Sequence, residues 1–284
     1  ITATDADGDT FTYTVPATTN EGAVTISSDG TFTYTPDADS RAAASKRYAP
    51  FWDKSDSFKV TVNDGHGGGY TIDLDELDPR VEIIHGHERP FWLPLIETCD
   101  VTGLVGAHAK AGTPLACLRH SMSDSVRGYW LNGISVGEMG MQAAIAGHYG
   151  IPFVFVSGDH WACREMQRLC KGCVAVPVKR GLGTFCARTF PPAKAQELIR
   201  AGAAKALAAA GKVKPFKLAS PLRFRCEMKE PVYDTEKPPA GFRVVDGHTI
   251  ETTAKDVIDL FIQLYRYPPD FQPRRSARHG ASRA

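Results

Sequence analysis

The strict alternation of apolar and polar residues that fills the start of this chain gives out before residue 72, so two structural grammars must share one polypeptide. FTYTV (11–15), AVTIS (23–27) and TFTYT (31–35) each alternate with period two, the pattern of short strands with one buried face. Turn-forming clusters separate them: DADGD at 5–9, TTNEG at 18–22 and SSDG at 27–30. Short strands at regular spacing predict a small antiparallel sandwich, which DSFKVTV (56–62) would close. RAAASKRYAPFWDK (41–54) interrupts the pattern and reads as a loop or short helical turn.

Downstream the pattern becomes α/β, and it predicts a main domain with a mostly parallel sheet flanked by helices. IDLDEL (72–77) precedes VEIIHG (81–86), a short strand. VTGLVGAHA (101–109) is nearly continuously apolar, as a buried parallel strand should be. SVGEMGMQAAIAGHYG (135–150) has helical spacing and ends on Gly150, a C-cap residue. IPFVFVSGD (151–159) is the next buried strand, and Asp159 is placed to N-cap the helix HWACREMQRLC. VAVPVK (174–179) and LRFRCEMK (222–229) read as strands. PPAKAQELIRAGAAKALAAAG (191–211) and TAKDVIDLFIQLYRY (253–267) read as helices, the first with Pro at its start and Gly at its end.

Composition removes several function classes. With 43% hydrophobic and 23% charged residues and a formal net charge of +1, no global field recruits nucleic acid or an anionic membrane. No apolar run is long enough for a transmembrane helix, and no signal peptide is visible at the start. Opening on Ile rather than Met suggests a fragment or internal piece. The tail 271–284 is basic and poor in apolar residues, which predicts disorder. The seven cysteines all lie from Cys99 onward, odd in number and scattered, which argues against a disulfide framework. Cys170 and Cys173 form a C-x-x-C; with no second pair to complete a zinc knuckle, they read as ordinary thiols around a turn at Lys171-Gly172.

Candidate chemistry sits at strand ends, where α/β sheets place their functional groups. VTVNDGH ends in His66 and GLVGAHAK carries His108; LACLRHSM carries His120, and Glu138 opens the helix after NGISVG. A carboxylate at a helix N-terminus is favoured by the dipole. Two histidines and a glutamate form a catalytic zinc set when a further position stays open for water. Asp5, Asp7 and Asp9 alternate in a Gly-containing turn, which suits Ca²⁺, a hard cation with oxygen ligands.

Two resemblances sharpen this reading. ITATDADGDTFTYTV, GAVTISSDGTFTYTPDAD and DSFKVTVNDGHGG resemble one tandem repeat of the VCBS/cadherin-like type from bacterial surface proteins, over about residues 1–69. That resemblance implies an Ig-like β-sandwich with an adhesive or spacer role, sometimes binding calcium. NDGHGGG, VGAHAKAGTP, RHSM, VRGYWLNG, VGEMGMQAAIAGHYGIPFVFVSGD and PPAKAQELI, in that order, resemble the M55 family of D-aminopeptidases over about 59–270. This second resemblance implies a zinc metallopeptidase that releases N-terminal D-amino acids from short peptides, with two zinc ions per subunit and a homo-oligomeric, decameric ring. It implies zinc ligands at His66, His108 and Glu138, matching N-D-[SG]-H, G-[YA]-H-A and V-G-E-[LM]-G, and a catalytic role for His120 in H-S-M.

The chain departs from that family at its N-terminus: the D-x-E-G motif whose acidic residues complete the dinuclear site is absent, and the β-repeat stands in its place. A second zinc would then have too few anchors, and catalysis is expected to be impaired. The divisions expected are a repeat over 1–62, reaching 69 on the widest reading, a peptidase-like domain over 63–270, and the tail. Two alternatives remain open: a non-catalytic surface or adhesion protein, and a fusion or assembly chimera of the two families. The repeat points outside the cell, whereas the peptidase-like part, with its unpaired cysteines, points to the cytoplasm.

Overall fold

The computed structural model describes residues 22–26, 32–39, 41, 60–66, 70–79, 81–86, 89 and 91–267. The strand expected at 11–15, the Asp5/Asp7/Asp9 turn and the tail at 271–284 fall outside them. The chain divides into two compact units, Ile1–Pro94 and Leu95–Ala284, each described in turn.

In the first unit, β1 (Gly22–Ile26) and β2 (Phe32–Pro36) form an antiparallel hairpin in which Gly22 faces Pro36 and Ile26 faces Phe32. β3 (Thr61–Asn63) pairs with β4 (Glu82–Ile84), and that pairing is parallel. The end of DSFKVTV therefore lies beside VEII rather than in an antiparallel ladder with the repeat strands. This is α/β pairing.

The second unit carries two sheets. The first is ordered β10-β9-β8-β5, from β5 (Thr102–Ala107), β8 (Phe153–Asp159), β9 (Val174–Gly183) and β10 (Cys186–Thr189). β5–β8 and β8–β9 are parallel; β9 turns back on β10. Every residue of β8 is buried, as the apolar run Phe153–Val156 requires of a sheet covered on both faces. One core cluster gathers Met139, Ala143, Phe153, Val156, Ala162, Cys163 and Met166. A second gathers Val154, Phe155, Ala206 and Val213. Helices α1 (Glu138–His148), α2 (His160–Leu169) and α3 (Pro192–Ala209) supply the covering side chains. β5 departs from expectation: it is the outer strand of this sheet, and Val105 is 63% exposed.

The second sheet corrects the expectation of a mostly parallel architecture. β6 (Val126–Leu131), β7 (Ile134–Val136), β11 (Leu222–Met228), β12 (Arg243–Val244) and β13 (Thr249–Ala254) are ordered β12-β13-β11-β6-β7, and every pairing is antiparallel. The physical reason is a hairpin signal inside VRGYWLNGISV. Asn132 and Gly133 both have positive φ, 49° and 80°, the two-residue turn whose twist matches a tight antiparallel pair. Leu222, Phe224 and Cys226 are buried while Arg223 and Arg225 are exposed, so β11 has one wet face. Helix α4 (Val257–Tyr265), capped by the Asp256 carboxylate, which accepts from the amides of Ile258 and Asp259, closes the unit. Among the described residues no helix is long and apolar enough to cross a membrane.

Cys170 and Cys173 are buried core thiols with no disulfide. Burial pushes both up to about 12, and Gly172 between them takes a left-handed turn with φ 91°.

Candidate metal centre

One strand-to-helix junction, one strand end and one strap build the site in the second unit. β7 ends at Val136; Gly137 then adopts extended backbone and Glu138 opens α1. Its carboxylate sits in the first helical turn, where the amides and dipole favour negative charge. β5, in the other sheet, ends at Ala107 and delivers His108 beside that carboxylate. The strap 111–123 delivers His120.

That strap is held at several points. Cys117 N–H donates to Asp159 Oδ2 at 2.8 Å and Leu118 N–H to Thr184 O at 2.7 Å. Ala111 N–H donates to the buried Ser121 hydroxyl at 3.1 Å. Leu115, Leu118 and Met122 all carry positive φ, 58°, 51° and 61°. Left-handed backbone costs a branched or long residue on the order of 1 kcal/mol or more, and here it recurs on both sides of His120. All three side chains point to solvent, so the conformation serves the backbone path rather than a core.

The geometry brings three of the predicted residues together. His108 Nε2 lies 3.8 Å from Glu138 Oε2, and His120 Nε2 lies 3.6 Å from Glu138 Oε1. The two imidazoles stack with centroids 4.0 Å apart and planes 19° from parallel, and the ligand nitrogens they offer lie within 4.8 Å of each other. His120 Nδ1 is 2.7 Å from Leu118 O and His108 Nδ1 is 3.1 Å from Ala109 O. A carbonyl only accepts, so Nδ1 carries the proton in each ring, and Nε2 of the neutral imidazole presents its lone pair towards Glu138. Met122 N–H donates to Glu138 Oε1 at 2.6 Å and fixes the carboxylate from the strap side.

This donor set fits a single divalent ion. Contacts of 3.6 and 3.8 Å are too long for hydrogen bonds. The His108 Nε2–Glu138 Oε2 separation is within a few tenths of an ångström of the roughly 3.3–3.6 Å between two ligands about 2.0–2.2 Å from a tetrahedral zinc, while His120 Nε2 faces the other carboxylate oxygen. Around it, burial before all else raises the phenols of Tyr129 and Tyr265, the latter to about 12; the Glu138 charge is among the lesser causes.

His66 belongs to the first unit, where it is exposed and follows β3 by way of Asp64 and Gly65. Asp64, which the sequence reading passed over, anchors that loop. It is 1% exposed and accepts from Thr71 N–H at 2.6 Å, Thr71 Oγ1 at 2.7 Å and Ile72 N–H at 3.0 Å. Burial works to raise this carboxyl, yet the bonds from Thr71 and Ile72 outweigh it and hold the group below its ordinary value. Arg89 clamps the same loop, donating to Asn63 Oδ1 at 2.7 Å and to the Asp64 carbonyl. The available signal was the Asn-Asp pair immediately ahead of Gly-His, a turn sequence with two side-chain acceptors.

Comparison with known proteins agrees with this architecture. The D-aminopeptidase (peptidase M55) family model matches residues 51–265, and a bacterial cadherin-like domain model matches residues 1–74. A curated D-aminopeptidase of Bacillus subtilis (strain 168) is 34% identical over 161 residues, 55% of this chain and 58% of that protein. The chain thus spans somewhat over half the length of the curated relative it matches. A solved structure of the Zn-dependent D-aminopeptidase DppA from Bacillus subtilis, described as a self-compartmentalizing protease, superposes with TM-score 0.68 at 28% identity. That superposition covers 73% of this chain and 77% of that one. With the family model spanning most of the sequence and the fold shared, the chain belongs to the M55 D-aminopeptidase family.

Proposed function

We propose that this protein is a zinc-dependent aminopeptidase that releases N-terminal D-amino acids from short peptides. The observation that carries the proposal is the convergence of His108, His120 and Glu138, each with its reactive atom turned to one point. His108 and Glu138 would hold the ion, with His66 joining them on the strength of its N-D-[SG]-H motif. When bound, zinc would polarise the peptide carbonyl and lower the pKa of its water.

His120 is the proton carrier. Its Nδ1–H is committed to Leu118 O, so Nε2 is the atom that takes a proton from the nucleophile and returns it to the leaving amine. Glu138 faces that nitrogen at 3.6 Å and would stabilise the imidazolium while it lasts. Met122 N–H keeps Glu138 from swinging away.

With no D-x-E-G motif, one firmly held zinc per chain is expected rather than two, and turnover below that of relatives with a complete site. A homo-oligomer suits this reading because the DppA neighbour is self-compartmentalizing. For the first residues, the cadherin-like match favours an Ig-like sandwich that tethers or spaces the peptidase at a surface, with Asp5, Asp7 and Asp9 as its candidate Ca²⁺ ligands. The purified chain should contain zinc and release D-alanine from D-Ala-D-Ala. His120→Ala should abolish release while zinc stays bound. A zinc-free protein without hydrolysis would contradict the enzyme and leave the surface-protein reading standing.

A further inference from the structure

Glu165 is the one acidic side chain of α2 that points into the protein. Three residues beyond buried Ala162 and one before buried Met166, it falls on the buried side of the helix, and it is 9% exposed. A carboxylate so deeply buried is strongly disfavoured unless other groups compensate, and its surroundings show where that compensation comes from. Oε2 accepts the Lys110 amide at 3.0 Å. Lys110 lies two residues beyond His108. Oε1 stands where a Cβ on Gly137 would come within 3.2 Å, close enough for the Gly137 amide to favour its charged form. Gly137 is the residue immediately before Glu138.

The same two segments are joined again on the other side of Lys110. Its ammonium donates to Ser135 O at 2.9 Å and to Ser135 Oγ at 2.8 Å. Gly137 leaves no spare room: an added Cβ would lie 2.6 Å from Lys110 Cβ. The loop that carries His108 and the junction that carries Glu138 are therefore pressed together, with Glu165 beneath them. Burial first, with the Glu138 charge a smaller contribution, raises the Glu165 carboxyl, which marks a group kept at a cost.

We propose that Glu165 is a positioning residue: by bonding the Lys110 amide and backing Gly137, it sets the separation between His108 and Glu138 and so the fit of the ion they share. The inference rests on the zinc reading above. It concerns a residue that touches neither metal nor substrate, and outer groups of this kind typically change metal affinity about 10–100-fold when removed.

The test is zinc affinity of the full chain, measured by competition with a chromophoric chelator, alongside thermal unfolding of the zinc-free protein. Glu165→Ala should weaken zinc binding about 10–100-fold. Glu165→Gln keeps an acceptor for the Lys110 amide and should recover most of that loss, whereas Glu165→Met, which fills similar space with no such acceptor, should not. Gly137→Ala, which presses on Lys110 and Glu165 Oε1 while leaving residue 165 itself unchanged, should reproduce the weakening, and it serves as the readout should Glu165→Ala fail to fold. Zinc affinity unchanged in a folded Glu165→Ala or in Gly137→Ala, or a Gln variant no better than Ala, would overturn the positioning role alone. A wild-type chain that takes up no zinc would overturn the zinc reading and this inference together.

Discussion

Two strand-to-helix junctions in the second unit share one local grammar, Gly followed by a carboxylate, and put it to different uses. At the end of β8, Gly158 precedes Asp159, the N-cap of α2. At the end of β7, Gly137 precedes Glu138, the first residue of α1. Asp159 is 1% exposed and saturated by amides: Trp161 N–H at 3.0 Å, Cys117 N–H at 2.8 Å and a longer contact from Gly181 N–H at 3.4 Å. Glu138 accepts a single amide, from Met122, and shares its remaining capacity with two imidazoles at distances too long for hydrogen bonds. A carboxylate whose lone pairs are filled by backbone is architecture, whereas one left facing two imidazole nitrogens is chemistry.

That contrast breaks first at the glycines and carboxylates. Gly158 has φ 146°, and a Cβ there would lie 2.2 Å from the Ala107 carbonyl oxygen. Gly158→Ala must push β5 off β8 and should cost upwards of about 4 kcal/mol in urea unfolding, at the exceptional end for one substitution. Asp159→Ala leaves the Cys117 and Trp161 amides without their acceptor. At about 1–3 kcal/mol per stranded group, a loss of roughly 2–6 kcal/mol is expected for the two, together with loosening of the strap that carries His120. A chain whose unfolding midpoint barely moves on Asp159→Ala would erase the distinction between the junctions. Glu138→Gln should behave oppositely, shifting stability of the zinc-free protein by less than about 1 kcal/mol, as expected where no saturated buried network is broken.

The smallest effect lies away from both junctions. Cys163, Cys170 and Cys173 are each pushed up to about 12 by burial, while Cys186 is exposed. At pH 8 a thiol reagent should label Cys186 in seconds to minutes and leave the three core thiols untouched until the chain unfolds. Because the folded values lie above the ordinary thiol value, unfolding releases protons at high pH. Stability from these groups is intact below about pH 8.5 and is lost progressively as pH rises towards 12.

Much of the covered sheet was legible in the sequence because its signals are local. The run FVFVSGD gave β8, Asp159 gave its helix cap, and Pro192 marked the start of α3, whereas Gly211, expected at its end, lies inside the 3₁₀ turn Ala210–Lys212 that extends it. His108, His120 and Glu138 were legible through short motifs, and folding brings them together from three separate segments. The five-stranded antiparallel sheet was harder, because its strands come from 126–136 and 222–254 and only their pairing defines it. Asn132-Gly133 was the one local clue. Glu165 was invisible for a different reason: in HWACREMQRLC an acidic residue looks like part of the solvated face, and only the packing of α2 turns it inward. At 60–72 two family models overlap, and the parallel pairing of Thr61–Asn63 with Glu82–Ile84 decides which grammar that strand follows.

The most direct test of the account is zinc content per chain, by elemental analysis after gel filtration, for the wild type and for Glu138→Gln. The account predicts zinc in the wild type and its loss from a Glu138→Gln protein that still unfolds cooperatively near the wild-type midpoint. Zinc retained by Glu138→Gln at the wild-type level would contradict the assignment of the metal centre to this junction.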